Sequence, residues 1–387
     1  MLLFLGAGAS MPFGVPTMLD FVKLFDKEVG DFPLYKDLKV AFGENCDLEA
    51  LMTVIEDLSK SPQEFFRAIS PQTAFFLLQK ERKAVDRYIN EDSSRKESGK
   101  LLTKIKTIIR RECNKAVSND SKILEVYNDF FTFLAEERNK MTQDSSSSPW
   151  HSTQVGRETR GLVLPADLQI FTTNYDQCIE TYFNRKEVDF CRGIISRYGD
   201  SVFDVDSYEA LPAQNMPCKI YKLHGSVDLF QKEDKIRRFE VPRTEEPFLV
   251  KEYGEESLRW PIEFGGYRHV IESPYLDLFR RLRDTAKEKK WWIMIGFSFR
   301  DRTICSILND VLRLTPRRER PNVLLLNRHT KPIIERLKDW NYQALVETIF
   351  PVEVEFGSEH FSKKMHQAFL IKGYVREMDV STGKLRL

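Results

Sequence analysis

No two of the six cysteines (Cys46, Cys113, Cys178, Cys191, Cys218 and Cys305) stand in a Cys-x-x-Cys pair. Local spacing therefore builds neither a zinc ribbon nor a disulfide framework, and no bound metal is expected. Net charge is equally scarce: 59 Lys and Arg against 58 Asp and Glu leave +1, which exerts no global pull on nucleic acid or an anionic membrane. The basic stretches Arg280–Arg283 and Arg313–Arg320 have Asp and Glu interspersed or close by and read as solvated helix surface. No apolar run approaches membrane-spanning length, and the apolar start at Leu2 lacks the basic flank and cleavage pattern of a secretory signal. A cytoplasmic protein without membrane contact is expected.

What is present begins at Leu2–Ser10, Leu-Leu-Phe-Leu-Gly-Ala-Gly-Ala-Ser, an apolar run that breaks into two glycines and a small hydroxyl residue. This reads as a strand delivering a phosphate-binding turn, with Gly6 and Gly8 allowing close backbone approach and a helix from about Pro16 pointing its positive end at the anion. The dinucleotide fingerprint of hydride-transfer enzymes is incomplete. Met11 stands where its third glycine belongs, and no second strand ending in an acid follows ~20 residues later.

With 387 residues, 42% of them hydrophobic, the chain can bury one large core and a smaller one. After the first helix, residues 31–161 carry long amphipathic patterns and almost no alternation. They are expected to form a helical insertion standing apart from the sheet, between the two parts (1–30 and 162–350) of one discontinuous domain. Asp47 is placed as an N-cap before the stripe Leu48, Leu51, Met52, Ile55 and Leu58. Further helices are predicted over about 63–90, 95–115 and 122–141. The Ser-rich run Ser145–Ser148 reads as an exit loop. Short apolar strands then return at Asp167–Thr172, Lys219–Leu223, Trp291–Ile295 and Asn322–Leu326, alternating with helices as a doubly wound parallel α/β sheet requires. The run Val352, Val354, Phe356 predicts one more strand within a C-terminal portion, 351–387, that ends in a helix.

Polar clusters follow these strands: Thr173-Asn174-Tyr175-Asp176, His224-Gly225-Ser226, Gly296-Phe297-Ser298-Phe299-Arg300-Asp301, and Asn327. Each has a bland reading. Asn174 and Asp176 would cap a helix from Gln177, His224 would serve a turn, and Ser298 or Asp301 would cap the helix from Arg302. Their gathering at the carboxyl edge of the sheet, where ligands bind in open parallel sheets, favours a common site with Gly6 and Gly8.

Gly6-Ala7-Gly8-Ala9-Ser10 with Gly14-Val15-Pro16, then Thr173-Asn174-Tyr175-Asp176, Lys222-Leu223-His224-Gly225-Ser226, Gly296-Phe297-Ser298 and Leu326-Asn327 resemble the ordered motifs of the sirtuin family. The resemblance implies a Rossmann-like NAD-binding domain and chemistry at the bond joining nicotinamide to ribose. By the same resemblance Gly6, Ala7, Gly8 and Ser10 would hold the phosphates, Gly296 and Ser298 would line the cofactor cleft, and Asn327 would lie near the adenosine. Asp176 would hold the nicotinamide amide, and Asn174 and His224 would be the catalytic pair. Two features of deacylase members are missing: Pro16 is followed by Thr17-Met18-Leu19 rather than Asp-Phe-Arg, and there is no four-cysteine ribbon after His224. The pattern is most similar to bacterial sirtuin-like NAD hydrolases of antiphage defence, in particular the subunit that works with a HerA-type ATPase. The aromatic-rich insertion offers surface for a homo-oligomer, and nucleic acid would be met only through the complex.

The chemistry follows from the side chains. Expelling neutral nicotinamide from a positively charged nitrogen passes through an oxocarbenium-like state, which needs a positioned nucleophile more than a strong acid. Asn174 can hold a water beneath the anomeric carbon and His224 can accept a proton at neutral pH. NAD+ glycohydrolysis is the leading reading. The alternatives are an NAD-dependent deacylase and a non-catalytic nucleotide-binding subunit of a larger assembly.

Overall fold

The structure, a computed structural model, describes residues 1–144 except 44, 45, 47 and 68, together with 158–159, 162–164, 168–197, 200–210, 218–232, 235–238 and 274–368. Asp47, Ser145–Ser148 and the residues after 368 lie outside the described residues.

Seven strands form one parallel sheet: β1 (Leu2–Leu5), β2 (Leu168–Thr172), β3 (Phe190–Cys191), β4 (Cys218–Lys222), β5 (Trp291–Ile295), β6 (Asn322–Asn327) and β7 (Ile349–Glu353), in the spatial order β7-β6-β5-β1-β2-β4-β3. The register sets Leu5 opposite both Thr172 and Ile295. Strand β1 is thus central, and all four of its residues are buried. Continuous apolar runs such as Leu-Leu-Phe-Leu and Trp-Trp-Ile-Met-Ile are what a strand covered on both faces requires.

Alternate side chains divide the core in two. Leu3, Leu5, Ile170, Ile293 and Leu324 face one apolar cluster, whereas Leu2, Phe4, Phe171, Trp292 and Leu325 face the other. The second cluster is closed by the helices Tyr275–Glu288, Arg302–Leu314, Lys331–Asp339 and Gln343–Thr348. The first is closed by the helices of residues 18–144, by Cys178–Arg185 and by a helix over 361–368. This is the doubly wound, Rossmann-like arrangement that the strand pattern predicts.

The helical segment does not stand apart, contrary to expectation. Its last helix, Asp120–Asp144, shares the apolar cluster under one face of the sheet: Phe131 stacks on Tyr182 of the helix Cys178–Arg185 at 5.4 Å and 12°, and Phe130 meets Phe356, just after β7, at 5.9 Å. The segment is one of the two layers that bury the sheet, so its aromatic faces are core. Within it the predicted helix over 63–90 is broken into Pro62–Arg67, Pro71–Leu78 and Arg82–Asn90. Ser61 and Ser70 cap the first two through Glu64 and Thr73, each with proline at the first helical position, so each Ser-Pro restarts a helix. The first helix of the chain, Met18–Glu28, starts after Pro16 because Thr17 accepts from Asp20 N and serves as its cap. Spacing alone would set Leu19, Val22, Phe25 and Val29 on one buried face of this helix, but Leu19 is half exposed, and Phe21 is buried with Val22, Phe25 and Val29.

Two features escape the period analysis. A four-stranded antiparallel sheet joins Ile194–Arg197, Asp200–Phe203, Leu229–Lys232 and Lys235–Arg238, and a two-residue hairpin pairs Glu158–Thr159 with Leu162–Val163. Strand β7 also ends at Glu353, before Val354 and Phe356. Those two remain buried because Val354 N still donates to Asn327 O and Phe356 packs under Phe130. The basic helix surfaces find acidic neighbours, with Arg281 on Glu209, Arg313 on Asp310, and Arg317 and Arg320 on Glu347. Among the described residues no helix is long and apolar enough to cross a membrane.

Candidate functional site

Strands β1, β2, β4, β5 and β6 all deliver their carboxyl ends to one edge, and a cleft of about 740 Å³, its open mouth included, lies there. Its walls include Ala7 after β1, Thr173, Asn174 and Asp176 after β2, His224 after β4, and Ser298, Arg300 and Asp301 after β5. Leu48 and Cys113 from the helical segment also line it.

The turn after β1 is held by backbone contact rather than left open. Gly6 N donates to Ile295 O at 2.9 Å and Gly8 N to Gly296 O at 3.0 Å, while Ala9 N and Ser10 N bond back to Gly6 O and Ala7 O. A Cβ on Gly6 would lie 2.5 Å from Phe297 Cα, and one on Gly8 2.7 Å from Gly296 Cα. The glycines are therefore required where two loops touch main chain to main chain. Gly6, Gly8, Ser10, Gly296 and Asn327 form a layer behind the cleft wall, whereas Ala7 and Ser298 are on it. Asn327 donates to Phe297 O at 3.2 Å and so braces the loop that carries Ser298.

Asn174 is fixed by that turn. Its Nδ2 donates to Gly6 O and to Ser10 Oγ, both at 2.9 Å. Because a carbonyl can only accept, the nitrogen side of the amide must face Gly6, which settles the orientation of the group. Among the described residues Oδ1 has no hydrogen-bond partner. Ser10, itself buried, thus supports Asn174.

Asp176 combines the bland and the functional reading. Its Oδ1 accepts from Cys178 N at 2.9 Å, as a helix cap does, while its buried Oδ2 has no hydrogen-bond partner and the residue lines the cleft. An orphaned carboxylate oxygen in a buried position is costly unless a ligand satisfies it.

His224 is 8% exposed and its Nε2 lies 2.9 Å from Asp301 Oδ2. The loop that presents it is braced by buried ions. Arg192 makes two bonds to Asp228, at 2.8 and 2.9 Å, and Ser226 donates to the same carboxylate at 2.6 Å. Burial alone would raise the Asp228 pKa. The charge and hydrogen bonds of Arg192, with Ser226 and Arg238, overturn that and hold it well below the ordinary carboxylate value. Lys222 donates to Asp176 O and lies 3.3 Å from Glu180 Oε1, which ties the end of β4 to the β2 loop and to the helix Cys178–Arg185. Cys113, on the cleft floor, is held protonated by burial, which pushes its thiol up, with the Asp176 charge acting in the same direction. All six cysteines are buried and free, and no group of three or more candidate metal ligands occurs among the described residues.

The structure therefore brings Ala7, Asn174, Asp176, His224 and Ser298 to one cleft. The sequence reading missed Asp301 as a partner of His224, although the Ser-Phe-Arg-Asp stretch ahead of a helix was visible as a cap. Arg300 and Lys222 stood within the quoted clusters without a role of their own, and Cys113, from the helical segment, is marked by no local pattern. Phe299, at φ +53°, holds the left-handed conformation in the middle of this loop, a costly state found where a site dictates the backbone.

Residues 168–345 match the family model of the SIR2-like domain, a span that holds β2 to β6 and the loops of Asn174, His224 and Asp301. One solved structure, described as the structural basis for the mechanism and regulation of Sir2 enzymes, is similar over 96% of this chain and 92% of its own, at 11% sequence identity and a TM-score of 0.36. No curated protein matches the chain.

Proposed function

We propose that the protein is an NAD+ glycohydrolase that cleaves the bond between nicotinamide and ribose, giving nicotinamide and ADP-ribose. The observation that carries this reading is the unpartnered Oδ2 of Asp176, buried in a cleft shared with Asn174 and His224. A carboxylate oxygen seeking a donor suits a carboxamide NH2, and the match of residues 168–345 to the SIR2-like domain supports NAD as the molecule that brings it.

In the proposed step Asp176 Oδ2 accepts the carboxamide N–H and fixes the nicotinamide. Asn174, anchored through Nδ2, offers Oδ1 to a water below the anomeric carbon. The C1′–N bond breaks, its electron pair leaves with nicotinamide, the water oxygen bonds to C1′, and His224 takes the proton released. Ala7 and Ser298, which both line the cleft from the adjoining loops after β1 and β5, are assigned to the phosphates and ribose, and the layer of Gly6, Gly8, Ser10, Gly296 and Asn327 to holding them in place. We further propose that the enzyme serves bacterial antiphage defence by depleting NAD+ in the cytoplasm, as a homo-oligomer working with a HerA-type ATPase.

Incubating the purified protein with NAD+ and measuring nicotinamide and ADP-ribose tests the reading directly. Free ADP-ribose without need of an acyl-lysine peptide supports it. Turnover only with such a peptide, giving an acylated ADP-ribose, replaces it with the deacylase reading. Binding without turnover, even with the ATPase added, leaves a nucleotide-binding subunit.

A further inference from the structure

We propose that Asp301 is a positioning residue that fixes the tautomer of His224, so that the atom accepting the proton is Nδ1. The two side chains come from loops after β4 and β5, which are separated in the sheet by β1 and β2, and their bond spans the carboxyl edge across the cleft. Both residues line that cleft and both are buried, at 8% and 5% exposure.

The carboxylate has no freedom to choose another arrangement. Its Oδ1 accepts from Thr303 N at 2.8 Å and from Ile304 N at 3.0 Å, at the start of the helix Arg302–Leu314. These bonds fix the plane of the group and turn Oδ2 toward the imidazole. A carboxylate only accepts, so the proton in the 2.9 Å contact belongs to Nε2, and the neutral ring keeps its lone pair on Nδ1. Among the described residues Nδ1 has no hydrogen-bond partner. When Nδ1 takes a proton, the adjacent carboxylate stabilises the imidazolium that forms. One aspartate thus does two things: it caps a helix through one oxygen and orients a base through the other.

The rate consequence rests on the glycohydrolase reading; the tautomer does not. The test uses the full chain labelled with 15N-histidine, with His224 assigned from the signals lost in His224→Gln, at alkaline pH where the ring is neutral. Two variants separate the functions of Asp301. Asp301→Asn keeps an oxygen for the cap and presents an amide donor to Nε2. Asp301→Ser keeps a capping hydroxyl that is too short to reach the ring. The expected wild-type spectrum shows the proton on Nε2. Asp301→Asn is expected to move it to Nδ1 and lower kcat ~10²–10⁴-fold with KM within a few-fold. Asp301→Ser is expected to give a mixture of tautomers and an intermediate loss. A wild-type ring protonated on Nδ1, an Asp301→Asn ring that stays protonated on Nε2, or a changed tautomer at unchanged kcat would overturn the proposal. A wild-type protein that never turns over NAD+ would remove the glycohydrolase reading, while the 15N spectra would still decide the role of Asp301.

Discussion

Gly296 sits at φ +63°, and a Cβ there would lie 2.2 Å from Ala9 N. Only glycine fits, for the left-handed backbone and for the contact at once. Gly296→Ala is expected to destabilise the fold by at least ~1–3 kcal/mol, read as a lower midpoint in urea. Asn174 and His224 are placed for turnover, so their replacement is expected to act on rate. Asn174→Ala should lower kcat by about 10²-fold through loss of the positioned water, and His224→Ala by ~10²–10⁴-fold. NAD+ should still bind both variants, as calorimetry would show, and unchanged nicotinamide release would refute the assignment. Asp228 makes a different prediction. Its carboxyl titrates lower in the folded chain than its ordinary 3.8, so the folded state binds fewer protons there, and its contribution is full above that value and falls as the pH drops below it. Asp228→Asn leaves the buried Arg192 with Glu180, at 3.9 Å, as its remaining acidic neighbour and is expected to cost up to ~3–5 kcal/mol near neutrality. The difference between wild type and variant should narrow in acid denaturation profiles. The cleft residues Asn174, Asp176, His224 and Ser298 were legible because polar clusters after apolar strands have one place to go. Asp301 was legible only as a cap, since its partner lies 77 residues away and no spacing rule links them.

At the scale of elements, the helix Asp120–Asp144 contributes Tyr127, Phe130 and Phe131 to the aromatic stack above Tyr182 and Phe356. Phe131 is fully buried. Phe131→Ala is expected to cost ~3–5 kcal/mol through lost burial and the cavity left behind, measured by calorimetric or chemical unfolding. Loss of near-UV and far-UV ellipticity in one transition is the expected form, because this helix and the sheet share one core. The long helices were legible from their stripes, and the parallel strands from apolar runs ending in polar clusters. The antiparallel sheet was not, because Ile194–Arg197, Asp200–Phe203, Leu229–Lys232 and Lys235–Arg238 are four residues each, too short to show a period, and rich in charge. The place of the helical segment was also hidden. Periodicity tells that a helix has a buried face but not what covers it.

At the scale of the molecule, the two apolar clusters divide along the alternation of β1, and the cleft opens where the loops of both layers meet. The sheet class was readable from the order of strands and helices; the strand order was not, since it depends on pairings between distant residues. Strand β1 is complete by residue 5, yet its two neighbours begin at Leu168 and Trp291. During synthesis, therefore, the innermost strand is made before the rest of its sheet, and it waits wholly apolar, with both edges unpaired until Leu168–Thr172 follows and with one edge still open until Trp291–Ile295 is made. Loop closure over such separations makes folding slow and exposes an adhesive edge in the meantime. In refolding followed by pulsed hydrogen exchange, the amides of Leu3 to Leu5 are expected to gain protection after those of the helices Asp92–Val117 and Asp120–Asp144, and early protection of β1 would contradict this order. The segment that anchors the site in space is thus secured on both edges only after Trp291–Ile295 has been made, so its place in the sheet depends on residues far from it in the sequence.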